Sequence, residues 1–176
     1  MSEQIQIRRY RADDVDAIHE AVIESVAELS RWCLWCHPGY TKPETQAWID
    51  ERPRAWDTND EWAFVITDAH DRFLGSCGLH RIDLRNHCAE LGYWVRTSAT
   101  RQGIATKVTR LLCQYGFGER GLERIEIIVS VDNLASQRVA IKAGGVREGT
   151  LRKRIALHDG RHDCAVFSIL KQDFCV

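Results

Sequence analysis

One long amphipathic helix pattern, enclosed between two strand patterns, dominates the middle of the chain. Its apolar side chains recur at helical spacing after Gly103 and stop near Gly118: Ile104, Val108, Leu111, Leu112 and Tyr115. A strand pattern at residues 87–95 precedes this helix, and a β-branched run at residues 124–131, typical of a central strand, follows it. Another helix pattern starts at Asn133. The order strand, helix, strand, helix predicts a mixed α/β fold.

Further strand patterns lie on both sides of this unit. Residues 5–7 alternate in polarity as in a short strand. Three consecutive strand patterns with short polar links predict an antiparallel meander: residues 62–68, 73–83 and 87–95. The tail contains two more, at about 146–157 and 162–169, and the Asp159-Gly160 pair between them suits a tight hairpin turn.

Two helices are predicted ahead of the meander. Asp13 or Asp14 can cap the first, whose apolar positions recur at helical spacing up to Leu29. The second follows an aromatic, cysteine-rich connection at residues 31–40 and begins at the capping box Thr41-Lys42-Pro43-Glu44. We expect Pro53 to end or bend this second helix.

Composition limits the classes of partner. A length of 176 residues predicts one domain spanning residues 1–176. A formal net charge of −1 disfavours broad binding to nucleic acid or to anionic membranes. No apolar run is long enough for a membrane span, and the N-terminus lacks a signal pattern, so we expect a cytoplasmic protein. The odd number of scattered cysteines, seven, predicts reduced thiols: Cys33, Cys36, Cys77, Cys88, Cys113, Cys164 and Cys175.

Three short motifs admit a functional and a structural interpretation. Cys33-Leu34-Trp35-Cys36-His37 matches a haem-attachment pattern, but its aromatic flanks and the missing export signal favour core packing. Residues 116–121 match G-x-G-x-x-G, yet they follow a helix and precede a strand, the reverse of the dinucleotide-binding order, so we interpret them as a helix end. Residues 158–164 resemble a metal-ligand cluster, but a hairpin would scatter those side chains, and we expect no metal.

The segment with the clearest chemical meaning is the junction between the strand at 87–95 and the long helix. Amides at a helix N-terminus lack intrahelical partners and lie at the positive end of the helix dipole. Gly103 and Ala105 leave this backbone uncovered. The junction therefore suits the phosphates of a cofactor, although glycine also occurs near helix starts for steric reasons.

Three stretches of the chain resemble the GNAT N-acetyltransferase superfamily, whose phosphate-loop pattern is [Q/R]-x-x-G-x-[G/A]. They are Glu90-Leu91-Gly92-Tyr93-Trp94-Val95, Gly103-Ile104-Ala105-Thr106 and residues 133–144. The similarity covers nearly the whole chain and is closest to the RimJ/RimL-like branch, which acetylates the N-termini of ribosomal proteins. Thr100 stands where the family usually has Gln or Arg, and the neighbouring Arg101 is the alternative for that role.

The resemblance implies a fold, a co-substrate and its contacts. The fold is the acyl-CoA N-acyltransferase type, a mostly antiparallel sheet of about seven strands that splays between the fourth and fifth, with about four helices. Acetyl-CoA would lie in the splay, with its amide arm on the unpaired backbone as in β-augmentation. The implied contacts are the strand residues Tyr93, Trp94 and Val95, the phosphate loop of Arg101, Gln102, Gly103, Ile104, Ala105 and Thr106, and the helix-start residues Asn133 and Ser136. Asn133 also suits an N-cap.

Direct attack of an amine on a thioester needs a proton acceptor, donors to the developing oxyanion and a donor to the leaving thiolate. Glu90 is the candidate acceptor, through water, and we expect burial to raise the pKa of its carboxyl group; the alternative is an outward-facing or ion-paired strand residue. Ser136 is the candidate donor to the thiolate, or simply a polar helix-start residue. A backbone N–H between Tyr93 and Val95 would polarise the carbonyl group.

Three functions follow as candidates. The first is transfer of acetyl from acetyl-CoA to the α-amine of a protein, which needs only a weak base because about a tenth of such amines are neutral at pH 7. The second keeps the co-substrate but acetylates a small amine such as a polyamine, an amino acid or an aminoglycoside. The third is an acyl-CoA-binding module without catalysis. The resemblance builds the acceptor site from the 31–40 connection and the C-terminal hairpin, and leaves a monomer or a homodimer open.

Overall fold

A seven-stranded sheet with helices on both faces forms the centre of the protein. The computed structural model describes residues 4–174. Its strands are β1 (Gln6–Arg8), β2 (Glu61–Thr67), β3 (Phe73–Asp83), β4 (Cys88–Val95), β5 (Arg124–Ser130), β6 (Val146–Leu157) and β7 (Gly160–Leu170). Its α-helices are α1 (Val15–Leu29), α2 (Lys42–Asp57), α3 (Ile104–Gly118) and α4 (Leu134–Ala143).

The strand order is β1-β2-β3-β4-β5-β7-β6. Strands β1 to β4 form an antiparallel meander, and β5, β7 and β6 form a second antiparallel group. The groups meet at β4 and β5, which run parallel because α3 crosses between them. The predicted mixed, mostly antiparallel sheet with four helices is confirmed.

Each face of the sheet has its own apolar core. On the α3 and α4 face, Val108 and Leu112 of α3 pack among side chains from β3, β4, β5 and β7. On the other face, α1 and α2 bury Val22 and Ile49 against β2 and β3. Burying one such side chain stabilises the fold by about 1.5–3 kcal/mol. The apolar faces of the amphipathic helices therefore hold both helix layers on the sheet.

The G-x-G-x-x-G motif ends α3, as predicted. A Cβ atom on Gly116 would lie 2.9 Å from Ile125 Cδ1 and 3.2 Å from Leu79 Cδ1, so only glycine lets α3 approach the sheet here. The helix ends at Gly118, and Gly121 has a φ of 66°, which favours glycine in the following turn.

Pro53 does not end α2, which continues to Asp57. Of the two expected effects of Pro53, an end is wrong and a bend stays a prediction; tertiary contacts on both sides of Pro53 hold the helix. The Trp56 indole N–H donates to the Ala63 carbonyl at 3.2 Å. The buried Arg52 guanidinium lies 2.6 Å from the Glu61 carboxylate.

The capping predictions are confirmed in position. Thr41 and Glu44 form the capping box of α2. Asp14 is the N-cap residue of α1, but its carboxylate binds the Arg8 guanidinium and the Arg11 backbone N–H rather than the helix amides.

Cys36 is buried in the core beside α1, and Cys33 packs against that core, as the packing interpretation predicted. The thiols within residues 4–174 are free, and Cys175 lies outside the described residues. Within the same range, none of the helices is both long and apolar enough to cross a membrane.

Candidate active site

Strands β4 and β5 separate after three paired positions. The register joins Cys88 to Arg124, Ala89 to Ile125 and Glu90 to Glu126, and it stops there. From Leu91 to Val95, β4 pairs only with β3. Its β5-facing edge therefore presents unpaired N–H and C=O groups, which an amide-containing ligand can satisfy.

A cavity of about 140 Å³ fills the gap between the two strands, and we call it the splay cavity. Both strands, the start of α4, the 31–40 connection and the β6–β7 hairpin contribute to its wall. The lining residues include Trp32, Cys33, Leu91, Gly92, Tyr93, Ile128, Asn133, Ser136, Ile155 and Leu157. The 31–40 connection and the hairpin, to which the resemblance assigns the acceptor site, both contribute to this wall.

The N-terminus of α3 lies at the sheet edge where the splay opens, because parallel strands end at the same edge. Gly103 is its N-cap residue with a φ of 78°, and a Cβ atom there would meet nothing within 4 Å. Arg101 also has a left-handed backbone, with a φ of 63°. The side chains of Arg101 and Gln102 are exposed, whereas Ile104 is buried and anchors the helix start. Ala105 and Thr106 are half-buried.

An ion-pair cluster that sequence reasoning missed holds the loop between β4 and α3. The buried Arg96 guanidinium lies 2.9 Å from the Glu24 carboxylate and 2.7 Å from that of Glu20, both on α1. The backbone N–H of Thr97 donates to the Ser25 hydroxyl at 3.0 Å, and that of Ser98 donates to Glu24 at 2.7 Å. These contacts fix the loop that precedes Gly103.

Tyr93, Asn133 and Ser136 meet beside the splay cavity. The hydroxyl groups of Tyr93 and Ser136 are hydrogen-bonded at 2.8 Å. Asn133 is the N-cap residue of α4, and its side-chain oxygen accepts the Ser136 backbone N–H at 3.1 Å. The cap thereby fixes the turn that carries the Ser136 hydroxyl.

The side chains of Trp94 and Val95 serve packing. The Trp94 ring lies 5.5 Å from that of Phe73 and 6.0 Å from that of Trp35, measured between centroids. Val95 packs against the core on the α3 face. A contact of these two residues with a ligand in the splay would therefore come from their backbone.

Glu90 occupies the last paired position before the splay, and the pKa of its carboxyl group is shifted in the direction opposite to the expected one. Its carboxylate lies 3.0 Å from Arg81 Nη1 and 3.3 Å from His80 Nε2. Burial raises the pKa of Glu90, but the contact with His80 and the charges of His80, Arg81 and Arg154 outweigh burial and lower it below its usual range. The predicted rise is wrong, because cross-strand cations surround the group.

The β6–β7 hairpin reaches the 31–40 connection across the splay cavity. The His158 imidazole lies 2.9 Å from the Cys36 carbonyl oxygen, across 122 positions of sequence. The haem-attachment-like motif at residues 33–37 and the metal-cluster-like segment at residues 158–164 are thus in contact with each other. Residues 4–174 contain no group of three His, Cys, Asp or Glu side chains arranged to hold a metal ion.

Comparison with known proteins identifies the class. Residues 4–146 match the family model described as an acetyltransferase (GNAT) domain. YdaF of Bacillus subtilis, whose name describes an N-acetyltransferase, is 28% identical over 99% of this chain and 95% of its own. The ribosomal-protein-serine acetyltransferase of Escherichia coli is 23% identical over 96% and 93%. The solved structure of RimL, a ribosomal L7/L12 α-N-protein acetyltransferase with coenzyme A, has a TM-score of 0.88 at 22% identity and covers 94% of this chain and 93% of its own.

The chain belongs to the GNAT acetyltransferase family. It is an acetyl-CoA-dependent N-acetyltransferase, so the predicted family, fold and co-substrate are confirmed. The residues present suit that co-substrate: the β4 edge offers unpaired amides, and Gly103 leaves open space at a helix N-terminus.

Proposed function

We propose that the protein acetylates the α-amine at the N-terminus of a polypeptide, as the names of its ribosomal-protein-acetylating relatives suggest. The observation that carries this proposal is the ion-paired state of Glu90. A carboxylate whose pKa is lowered by Arg81 and His80 is a weak proton acceptor. Such an acceptor suits an amine that is already partly neutral near pH 7. About a tenth of α-amines are neutral at that pH, whereas fewer than about one in a thousand lysine side chains are.

In this proposal, residues of the splay divide the chemistry. The β4 backbone from Tyr93 to Val95 aligns the thioester and polarises its carbonyl group, and the amides from Arg101 to Thr106 hold the phosphates. Glu90 receives the amine proton through water, with His80 in contact with the carboxylate. The hydroxyl of Ser136, hydrogen-bonded to Tyr93, donates to the departing thiolate.

The roof of the splay cavity supports a polypeptide acceptor. The contact between His158 and Cys36 joins the hairpin to the 31–40 connection above the gap. An extended polypeptide end that enters beneath this contact is the approach that we propose. Trp32, Ile155 and Leu157 give this approach apolar walls.

The test compares acceptors with one donor. Purified protein and acetyl-CoA are incubated separately with each of three acceptors. The first is a peptide with a free α-amine and a blocked lysine, the second is the same peptide with a blocked α-amine and a free lysine, and the third is spermidine. We expect thiol release and acetylation with the first peptide, at a kcat/KM at least about a hundredfold above the second, as the neutral fractions predict. Transfer only to the lysine or only to spermidine would contradict the proposal.

A further inference from the structure

A second, larger cleft adjoins the splay cavity, between the end of β5 and the β6–β7 hairpin. It has a volume of about 660 Å³ and is lined by Val131, Asp132, Arg152, Lys153, Arg161, His162 and Asp163; we call it the basic cleft. Asp132 directly precedes Asn133, and the same hairpin supplies Ile155 and Leu157 to the splay cavity. The two spaces are therefore lined by neighbouring residues of the same segments, although they have no lining residue in common.

A bulge in β6 turns a run of basic residues out of the strand ladder. The register between β6 and β7 shifts between Leu151 and Ile155, so residues 152–154 have no regular partners. Lys153 has a φ of 51°, which is strained for a residue with a side chain. The Asp163 carboxylate holds this conformation by accepting the Lys153 backbone N–H at 2.8 Å. Bulges and strained residues of this kind are frequent beside functional sites.

The acidic groups of the basic cleft have internal partners, whereas its guanidinium groups lack them. His162 lies 3.4 Å from the Asp132 carboxylate and 2.8 Å from that of Asp159. The hydrogen bond that His162 donates to Asp159 raises the pKa of His162, which favours its charged form. Within residues 4–174, Arg152 and Arg161 form no ion pair. Arg152 and Arg161 therefore offer guanidinium groups without an ion-pair partner, in a cleft that Asp132 and Asp163 also line.

We propose that the basic cleft binds acidic side chains of the acceptor polypeptide, a few residues beyond the amine that is acetylated. This rests on the proposed function. Ile155 lines the splay cavity, and Arg152 lies three residues before it along β6, which is at most about 10 Å because the bulge shortens the strand. An extended acceptor covers that distance in about three residues, so acidic side chains near its third to fifth positions would reach the cleft.

The charge distribution favours a peptide over nucleic acid as the occupant. The formal net charge of the chain is −1, and two aspartates lie among the basic side chains of the cleft, so its positive charge forms no extended stripe. Phosphate-backbone binding relies on many lysine and arginine contacts along the helix axis. A few guanidinium groups in one cleft match a few carboxylates, which arginine binds in a bidentate manner.

Two matched peptides with free N-termini test the proposal, one with glutamates at positions three to five and one with glutamines there. We expect the wild-type protein to acetylate the glutamate peptide with a kcat/KM about tenfold higher, an advantage that falls as salt is added. In Arg152→Gln and Arg161→Gln, the ratio between the two peptides should fall towards one. The control is Arg85→Gln, which removes the same charge from the exposed turn between β3 and β4.

Binding of the same peptides, labelled with fluorescein at the C-terminus, separates the basic cleft from the proposed function. If the glutamate peptide binds wild type and loses affinity in Arg161→Gln although neither peptide is acetylated, the cleft is supported and the proposed function fails. Equal use and equal binding of both peptides would overturn the cleft proposal. It would also be overturned if the arginine variants kept the preference and instead raised the KM for acetyl-CoA, or lost binding of a single-stranded RNA oligomer.

Discussion

The hydroxyl oxygens of Tyr93 and Ser136 lie 2.8 Å apart and join β4 to the first turn of α4 beside the splay cavity. Burial raises the pKa of Tyr93 to about 12, so this hydroxyl keeps its proton near neutral pH. The Asn133 cap fixes the turn from the other side. In the proposed function, this pair donates a hydrogen bond to a thiolate that forms in the cavity.

Replacing either hydroxyl should slow turnover more than it weakens binding. We expect Ser136→Ala and Tyr93→Phe each to lower kcat about tenfold or more, with the KM for acetyl-CoA changed less than about threefold. The double variant should be little worse than either single variant, because both changes break one hydrogen bond. Thiol-release kinetics with acetyl-CoA varied measure this, and Ser168→Ala on β7 is the control. An undiminished kcat in Ser136→Ala would reduce that hydroxyl to a structural role.

Gly103→Glu should abolish acetyl-CoA binding and leave the fold intact. The new side chain places bulk and negative charge in open space at the N-terminus of α3, where phosphates would lie. Gly103→Ala is the matched control, because it imposes the same backbone strain of about 1–2 kcal/mol at a φ of 78° without that charge. Calorimetric titration with acetyl-CoA and thermal unfolding are the measurements. Equal acetyl-CoA affinity in the two variants would refute the phosphate assignment.

Glu90→Gln should lower kcat/KM about tenfold without changing the shape of its pH dependence. Because the pKa of Glu90 is lowered below its usual range, the carboxylate is already ionised throughout pH 5.5–9 and adds no limb to the profile there. Glu126→Gln is the control, since Glu126 occupies the paired position on β5 and binds Arg124. A limb between pH 5.5 and 7 that disappears only in Glu90→Gln would show that burial dominates after all.

The elements around the site could be predicted because their signals are local. The spacing of Ile104, Val108 and Leu112 gave α3, and the strand that runs into Gly103 gave the candidate phosphate loop. Asn133 was recognised as an N-cap from its place after the β-branched run, and the Ser136 amide that it binds is three residues away. Periodicity and capping need only a few neighbouring residues, so one sequence is sufficient.

The electrostatics of the site could not be predicted, because its partners come together only in the folded sheet. Glu90 contacts His80 because the register of β3 and β4 pairs them, and no local sequence pattern predicts that register. The contact between His158 and Cys36 spans 122 positions. Sequence reasoning therefore found the candidate residue Glu90 but assigned the wrong sign to its pKa shift.

The ion pair between Glu24 and Arg96 links the position of the phosphate loop to pH. The hydrogen bond from Arg96 lowers the pKa of Glu24 to about 2, against its ordinary value of 4.5. Because the unfolded chain takes up a proton at a higher pH than the folded one, acid favours unfolding. The stability that this carboxylate contributes is fully present above about pH 4.5 and is lost as pH falls towards 2.

Glu24→Gln should therefore be destabilised by about 1 kcal/mol at pH 7, a figure reduced for the partial exposure of the pair. The difference from wild type should stay constant between pH 6 and 8 and shrink as the pH is lowered from 4.5 to 3. Urea unfolding at each pH measures it, with Glu28→Gln as the control, since Glu28 is exposed and makes only a 4.0 Å contact with Arg31. The same variant should raise the KM for acetyl-CoA, because the Ser98 N–H loses its carboxylate partner and the loop before Gly103 loosens. A stability difference that does not shrink between pH 4.5 and 3, or a KM for acetyl-CoA equal to that of wild type, would contradict the link between this ion pair and the loop before Gly103.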